Sequence, residues 1–94
     1  MSNKLKQKRK EKDNDVVRMV IGKKVWEVSR KMAMTTIEIA KQKYKKQNVN
    51  AIVGVEKDSI ISLQRDVYDD TAKFEKEIEN WQKGGFKCYY TYKQ

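Results

Sequence analysis

The sequence contains no histidine, no proline and a single cysteine, Cys88. Histidine is the commonest general base and metal ligand, so its absence argues against a metal enzyme or a catalytic-triad hydrolase. One cysteine excludes an intrachain disulfide and cysteine-rich zinc sites. No apolar run approaches the roughly 20 residues of a membrane-spanning helix, and no signal-peptide core follows Met1. We therefore expect a cytoplasmic protein without enzymatic activity, cofactor, metal or membrane partner.

The chain of 94 residues is highly charged and has a net charge of +9. Hydrophobic residues make up 38% and charged residues 37%, so we expect one small domain with a thin core. Residues 1–50 contain 15 Lys or Arg and 5 Asp or Glu, a net charge of +10, whereas residues 51–94 contain 7 and 8 and carry −1. A basic excess confined to one half is typical of proteins that bind phosphate-bearing polymers.

The first 13 residues are basic and contain almost no large apolar side chains. Leu5 is the only one after Met1, so the segment cannot bury enough surface to order itself. We expect residues 1–13 to form a disordered arm and residues 14–94 to form a single domain. The arm residues expected to contact nucleic acid are Lys4, Lys6, Lys8, Arg9, Lys10 and Lys12. The alternative is a solvated tail that only improves solubility.

Apolar residues between Val16 and Lys46 recur at helical intervals near three, four and seven. One stripe contains Val17, Ile21, Val25, Val28, Met32 and Ile39, and a second contains Trp26, Ala33, Ile37, Ala40 and Tyr44. The spacing predicts one long helix or a pair of helices. The opposite face is cationic, and its basic residues are Lys23, Lys24, Arg30, Lys31, Lys41 and Lys45.

The second half of the chain predicts a short strand, a long helix and a terminal strand. Residues 51–55 are rich in β-branched side chains, and Asp58 or Ser59 is suited to cap the helix. The helix prediction depends on a spacing of seven, through Ile60, Val67, Phe74 and Trp81. The pair Gly84-Gly85 ends it, and the alternating residues 86–93 predict the last strand. The fold class expected is mainly α: a small helical domain with one or two short strands.

Two further expectations concern strand pairing and self-association. Residues 49–55 and 86–92 flank a long helix, so they are expected to pair as a small parallel sheet, to be buried by the helices or to extend across a dimer. A homodimer would form through the residues spaced by seven or through the C-terminal strand.

Residues 28–46 resemble the centre of a helix-turn-helix, the motif of many DNA-binding proteins. Met32 would end the first helix, Ala33 would make the turn, and Thr35 would cap a recognition helix. The resemblance implies that exposed residues of this second helix meet bases or phosphates. These residues are Thr36, Glu38, Lys41, Gln42 and Lys45. The alternative is one unbroken helix, because the apolar stripe continues through Ala33 and Met34.

Tyrosines near the end of the sequence are a second candidate site. Tyr89, Tyr90 and Tyr92 are interleaved with Lys87 and Lys93. Aromatic rings beside cations stack on bases while the cations hold phosphates. The alternative is a strand whose aromatic face covers the helix that ends near Trp81.

These features predict a non-enzymatic nucleic-acid-binding protein, with DNA favoured over RNA and a regulatory role. The first alternative is a protein-binding adaptor or inhibitor, of the kind found among the accessory proteins of phages and mobile elements. The second is an RNA-binding or ribosome-associated protein, which shares the same charge distribution and uses the tyrosine strand.

Overall fold

A computed structural model describes residues 14–94 and contains a five-stranded mixed sheet with two helices. In chain order the elements are β1 (Val16–Ile21), β2 (Lys24–Ser29), α1 (Arg30–Gln47), β3 (Asn50–Lys57), β4 (Ile60–Tyr68), α2 (Thr71–Lys83) and β5 (Lys87–Thr91). The strand order is β2-β1-β4-β3-β5. Strands hold 42% of these residues and helices 40%, so the expectation of a mainly α domain is wrong and the fold is α+β.

The helix predicted over residues 16–46 is wrong in its first half, because residues 16–29 form a β-hairpin. β1 and β2 pair antiparallel across a turn at Gly22, which has a φ of 62°. The spacing of four between Val17 and Ile21 is close to the helical repeat and is also a multiple of the strand repeat. The two residues share a face in either structure, so this spacing does not distinguish helix from strand. The β-branched side chains favour the strand, and Gly22 provides the turn.

The long second helix is likewise wrong in its first half. Asp58 and Ser59, expected to cap it, have φ values of 52° and 64° and form the tight turn of the β3–β4 hairpin. Seven is an odd spacing, so Ile60 and Val67 point to opposite faces of β4. Both are exposed, at 44% and 47%. The four residues spaced by seven therefore do not share one helix face.

The two strands that were predicted to flank a long helix, β3 and β5, are arranged differently from the prediction. β3 and β5 are neighbours, as expected, but they run antiparallel rather than parallel. β4 and β5 both run antiparallel to β3, so they are parallel to each other and α2 is the crossover between them. A crossover helix that packs on the sheet is the usual solution for joining parallel strands. The predicted helix end at Gly84 and the terminal strand are confirmed.

The sheet separates two cores. The α1-side core consists of Val17, Met19, Ala33, Ile37, Tyr44, Ala51, Val53, Ile61 and Tyr89. The α2-side core consists of Ile52, Val55, Phe74 and Ile78, with Tyr68, Trp81, Phe86, Cys88 and Tyr90 packed against it. Ala51 and Val53 of β3 enter the α1-side core and Ile52 between them enters the α2-side core, as strand geometry requires. The alternation shifts after Val53, because Val55 enters the α2-side core. Because α2 lies over β3, β4 and β5, neither helix of residues 14–94 covers its side of β1 and β2.

Helix α1 begins and ends at residues with clear capping contacts. The Ser29 hydroxyl accepts a hydrogen bond of 3.1 Å from the backbone N–H of Met32, and Asn48 ends the helix with a φ of 54°. The helix is continuous at Ala33, which is fully buried against the sheet. Alanine favours the helix over a turn. The turn expected from the helix-turn-helix resemblance is therefore absent, and the residues before α1 belong to β2.

Gly54 allows α1 to lie close to the sheet. The pairing register of β3 shifts between Ile52 and Gly54, where the strand contains a bulge. A Cβ atom at Gly54 would lie 2.5 Å from Cδ1 of Ile37, a fully buried residue of α1. The missing side chain therefore makes room for the central contact of the α1-side core.

Candidate nucleic-acid interface

The two helices differ sharply in charge. α1 contains six Lys or Arg and one acidic residue, Glu38, whereas α2 contains three basic and three acidic residues. The basic residues of α1 are Arg30, Lys31, Lys41, Lys43, Lys45 and Lys46. The helices lie on opposite faces of the sheet, so one side of the domain is strongly cationic and the other is close to neutral.

The predicted binding residues on the α1 side of the sheet occupy three different environments. Lys23 and Lys24 are exposed at the β1–β2 turn and not on a helix, which corrects their predicted position. Lys31 is exposed on the first turn of α1, whereas Arg30 turns toward the sheet. Thr36 is half-buried, and its hydroxyl donates to the carbonyl of Met32 at 3.0 Å. The six basic residues assigned to the arm lie outside the described part of the chain.

Two apolar residues of α1 that were assigned to the buried stripes are exposed instead. Met32 is 59% and Ile39 is 67% exposed, and both lie on the outer side of α1. The buried side of the helix is centred on Ala33, Ile37 and Tyr44. The outer side of α1 therefore combines apolar and basic side chains.

The three tyrosines also separate. Tyr89 points into the α1-side core and is 9% exposed, so its ring is not free to stack on a base. Tyr90 packs against Phe74 on the other face, with ring centroids 6.1 Å apart. Tyr92 follows β5 and is 44% exposed; its ring lies 5.2 Å from that of Phe74, and its hydroxyl donates to Glu75 of α2 at 3.5 Å. Tyr92 is thus the one of the three with a broadly accessible ring.

A cleft at the free edge of β5 brings the two predicted groups together. It has a volume of about 350 Å³, and its walls are formed by α1 and by the residues at the end of β5. The lining residues are Glu38, Lys41, Gln42, Lys45, Tyr90, Thr91, Tyr92 and Gln94. Lys41 is held 3.5 Å from Glu38, whereas the described residues offer Lys45 no carboxylate within ion-pair distance. The cleft therefore combines two cations and an amide with the end of β5, where the partly exposed Tyr92 lies.

Two asparagines hold the tyrosine wall of this cleft in place. Asn50 is 1% exposed; its Oδ1 accepts a 2.8 Å hydrogen bond from the backbone N–H of Lys93. The Nδ2 of Asn50 donates to the hydroxyl of Thr71 at 3.0 Å. The Oδ1 of Asn48 accepts a 2.7 Å bond from the N–H of Gln94. Residues 92–94 are therefore fixed beside α1, an arrangement that no spacing in the sequence indicates.

A polar network under the start of α1 was not apparent from the sequence. The guanidinium of Arg30 lies 2.6 Å from one carboxylate oxygen of Glu56, and the hydroxyl of Tyr89 donates to the other at 2.6 Å. Burial acts to raise the pKa of Glu56, but the bonds from Tyr89 and Arg30, with attraction from Lys87, outweigh burial and lower it. Burial and the bond to Glu56 raise the pKa of Tyr89. This network fixes the start of α1 on β3 and β5.

Comparisons with known proteins give no match to a protein family, to a curated protein or to a solved structure. Neither α1 nor α2 is both long and apolar enough to cross a membrane. Residues 14–94 contain no group of three or more acidic or cysteine side chains placed to hold a metal ion.

Proposed function

We propose that the protein is a non-enzymatic nucleic-acid-binding protein that holds a single strand in the cleft between α1 and β5. The observation that carries the proposal is the convergence of Lys41, Lys45 and Tyr92 at one free sheet edge. The lysines attract phosphates, and the Tyr92 ring offers a surface on which a base stacks. The net charge of +9 adds a long-range attraction to any polyanion.

A single strand fits these features better than a duplex. Bases must be unstacked to meet an aromatic ring, and a single strand presents them freely. Base-aromatic stacking contributes about 1–3 kcal/mol per base and depends little on sequence. The unbroken α1 also removes the helix pair on which site-specific reading of duplex DNA was predicted to depend. The adaptor and ribosome-associated alternatives stay predictions.

The experiment compares two double variants with the same change in net charge. Lys41→Gln with Lys45→Gln neutralises the cleft, whereas Lys73→Gln with Lys76→Gln neutralises two exposed lysines of α2 on the opposite side. Binding of a fluorescently labelled single strand is measured by anisotropy at several salt concentrations. The cleft variant is expected to bind more weakly, with a log–log salt slope shallower by about 1.4, since each lost phosphate contact removes about 0.7.

The control variant distinguishes a site from general electrostatic attraction. If the proposal is correct, the α2 variant keeps most of the wild-type affinity and salt slope. Equal losses in both variants would show that only net charge matters, and the cleft would not be the site. Stronger binding to a duplex than to either of its strands would also contradict the proposal.

A further inference from the structure

The α2-side surface of β1 and β2 is an exposed sheet face with a distinct composition. Because the cross-strand pairs share a face, Val16, Val20 and Val25 lie on it together with Arg18 and Glu27. Val16 is 65% exposed and Val25 is 58% exposed. Ile60 of β4 is paired with Arg18 and continues the same face at 44% exposure. We call these six residues the hairpin face.

We propose that the hairpin face binds the hairpin face of a second copy of this chain, giving a twofold-symmetric dimer. Clustered exposed aliphatic residues on a sheet are a typical interaction surface. Two sheets pack face to face about 10 Å apart when their inner faces are apolar. A second copy of the chain suits this surface, because its charges are complementary to themselves.

Arg18 and Glu27 supply that complementarity. They are direct partners on β1 and β2, so one positive and one negative side chain stand next to each other on the same face. Among the described residues, neither makes an ion pair within its own chain. Consider a twofold axis that runs parallel to the strands, midway between the two packed sheets and centred between β1 and β2. This axis would place Arg18 over Glu27 of the partner subunit. The same axis would place Val20 over Val25 of the partner subunit.

The distribution of charge favours this surface over others for self-association. Two copies of a +9 chain repel one another, and most strongly through their α1 sides. The hairpin face carries one charge of each sign and lies on the opposite side of the sheet from α1. Dimerisation there would leave both α1–β5 clefts facing outward. The proposal does not depend on the proposed function, since it concerns the protein without nucleic acid.

The test uses complementary charge reversals and analytical ultracentrifugation of the full chain. Arg18→Glu leaves two acidic side chains on the hairpin face, and Glu27→Arg leaves two basic ones. Each variant alone is expected to raise the dimer dissociation constant by about tenfold or more, because like charges then face each other. An equimolar mixture is expected to restore dimers, since each acidic face meets a basic one. The double variant Arg18→Glu with Glu27→Arg is expected to dimerise like the wild type.

Lys76→Glu is the matched control, because it reverses an exposed charge on α2 outside the hairpin face and should leave dimerisation unchanged. Thermal melts of each variant confirm that it is folded, and the double variant serves as the test if a single reversal unfolds the chain. The proposal is overturned if the wild type stays monomeric at high concentration. It is equally overturned if the single reversals still dimerise, or if neither the mixture nor the double variant restores the dimer.

Discussion

The hydroxyl of Tyr89 donates a 2.6 Å hydrogen bond to a carboxylate oxygen of Glu56, and this contact joins β5 to β3 beside the start of α1. Arg30 from α1 holds the other oxygen, so one carboxylate connects three elements. The side chain of Glu56 is only 12% exposed, which makes its ionised form dependent on these two partners. The network ties the cationic helix to the sheet that carries the cleft.

Stability is expected to fall in acid because of this carboxylate. The pKa of Glu56 is lowered in the folded protein from its ordinary value of 4.5, so its contribution is fully present above pH 4.5. That contribution is lost as the pH falls through the lower, folded-state pKa. Glu56→Gln should reduce the free energy of unfolding at pH 7 by roughly 1–3 kcal/mol and flatten the acid dependence. Urea unfolding at a series of pH values measures both effects, and parallel pH profiles for the two proteins would contradict the expectation.

Tyr89→Phe tests the same network without removing the charge. The variant keeps the buried ring and loses one donor to Glu56, so the free energy of unfolding should fall by about 1–2 kcal/mol. Tyr90→Phe is the matched control, because the adjacent ring packs in the α2-side core. Equal effects of the two substitutions in urea unfolding would argue against a specific role of the Tyr89 hydroxyl.

Gly54→Ala should destabilise the protein because the new methyl group would collide with Ile37. Overpacking of this kind costs about 1–3 kcal/mol. Ile37→Val removes the Cδ1 atom that lies closest, so the double variant should lose less stability than the two single losses added together. A double-mutant cycle from chemical unfolding measures this coupling. Strict additivity would show that α1 does not pack on β3 through these two residues.

Phe74→Ala should be more destabilising than Trp81→Ala. Phe74 is fully buried and touches Tyr68, Tyr90 and Tyr92, so its truncation should cost about 3–5 kcal/mol. Trp81 is only partly buried at the margin of the same core, where its ring lies 4.8 Å from that of Phe86. Thermal melts give the order directly, and a larger loss for Trp81 would place the centre of the α2-side core elsewhere.

The sequence predicted the C-terminal part of the fold better than the N-terminal part, for physical reasons. Gly84-Gly85 and the alternating residues after it have one clear interpretation each, and both were confirmed. The spacing between Val17 and Ile21 suits a helix and a strand equally, so the hairpin was missed. Deciding between the two requires knowledge of β4, which pairs with β1 from about 40 residues away along the chain.

The candidate site was only partly visible in the sequence. Lys41, Lys45 and Tyr92 were each singled out for their chemistry, but nothing in their spacing indicated that α1 and the end of β5 lie side by side. That proximity depends on Asn50, which is polar, buried and bonded to the backbone of Lys93. In the sequence alone, nothing distinguishes Asn50 from an ordinary loop residue. Contacts between distant residues of this kind have no local pattern to reveal them.

The role of Tyr92 as a stacking platform predicts a difference between two substitutions. Tyr92→Phe keeps the aromatic face and should bind a single strand nearly as well as the wild type. Tyr92→Ala removes it and should weaken binding by about 1–3 kcal/mol. Anisotropy titrations give both values, and thermal melts check that the contact with Phe74 was not essential for folding. Equal binding by both variants would remove Tyr92 from the site.

Binding of a single strand in the α1–β5 cleft is tested most directly by an NMR titration of isotope-labelled protein with an unlabelled single-stranded oligonucleotide. If a single strand binds in the α1–β5 cleft, the backbone amide signals of the residues that line it should shift first and furthest, among them Lys41, Lys45 and Tyr92. Signals from the outer side of α2, including Lys76 and Glu79, should stay unchanged at the same ratio. Shifts centred on α2, or the absence of any shift at low salt, would show that the cleft does not bind a single strand.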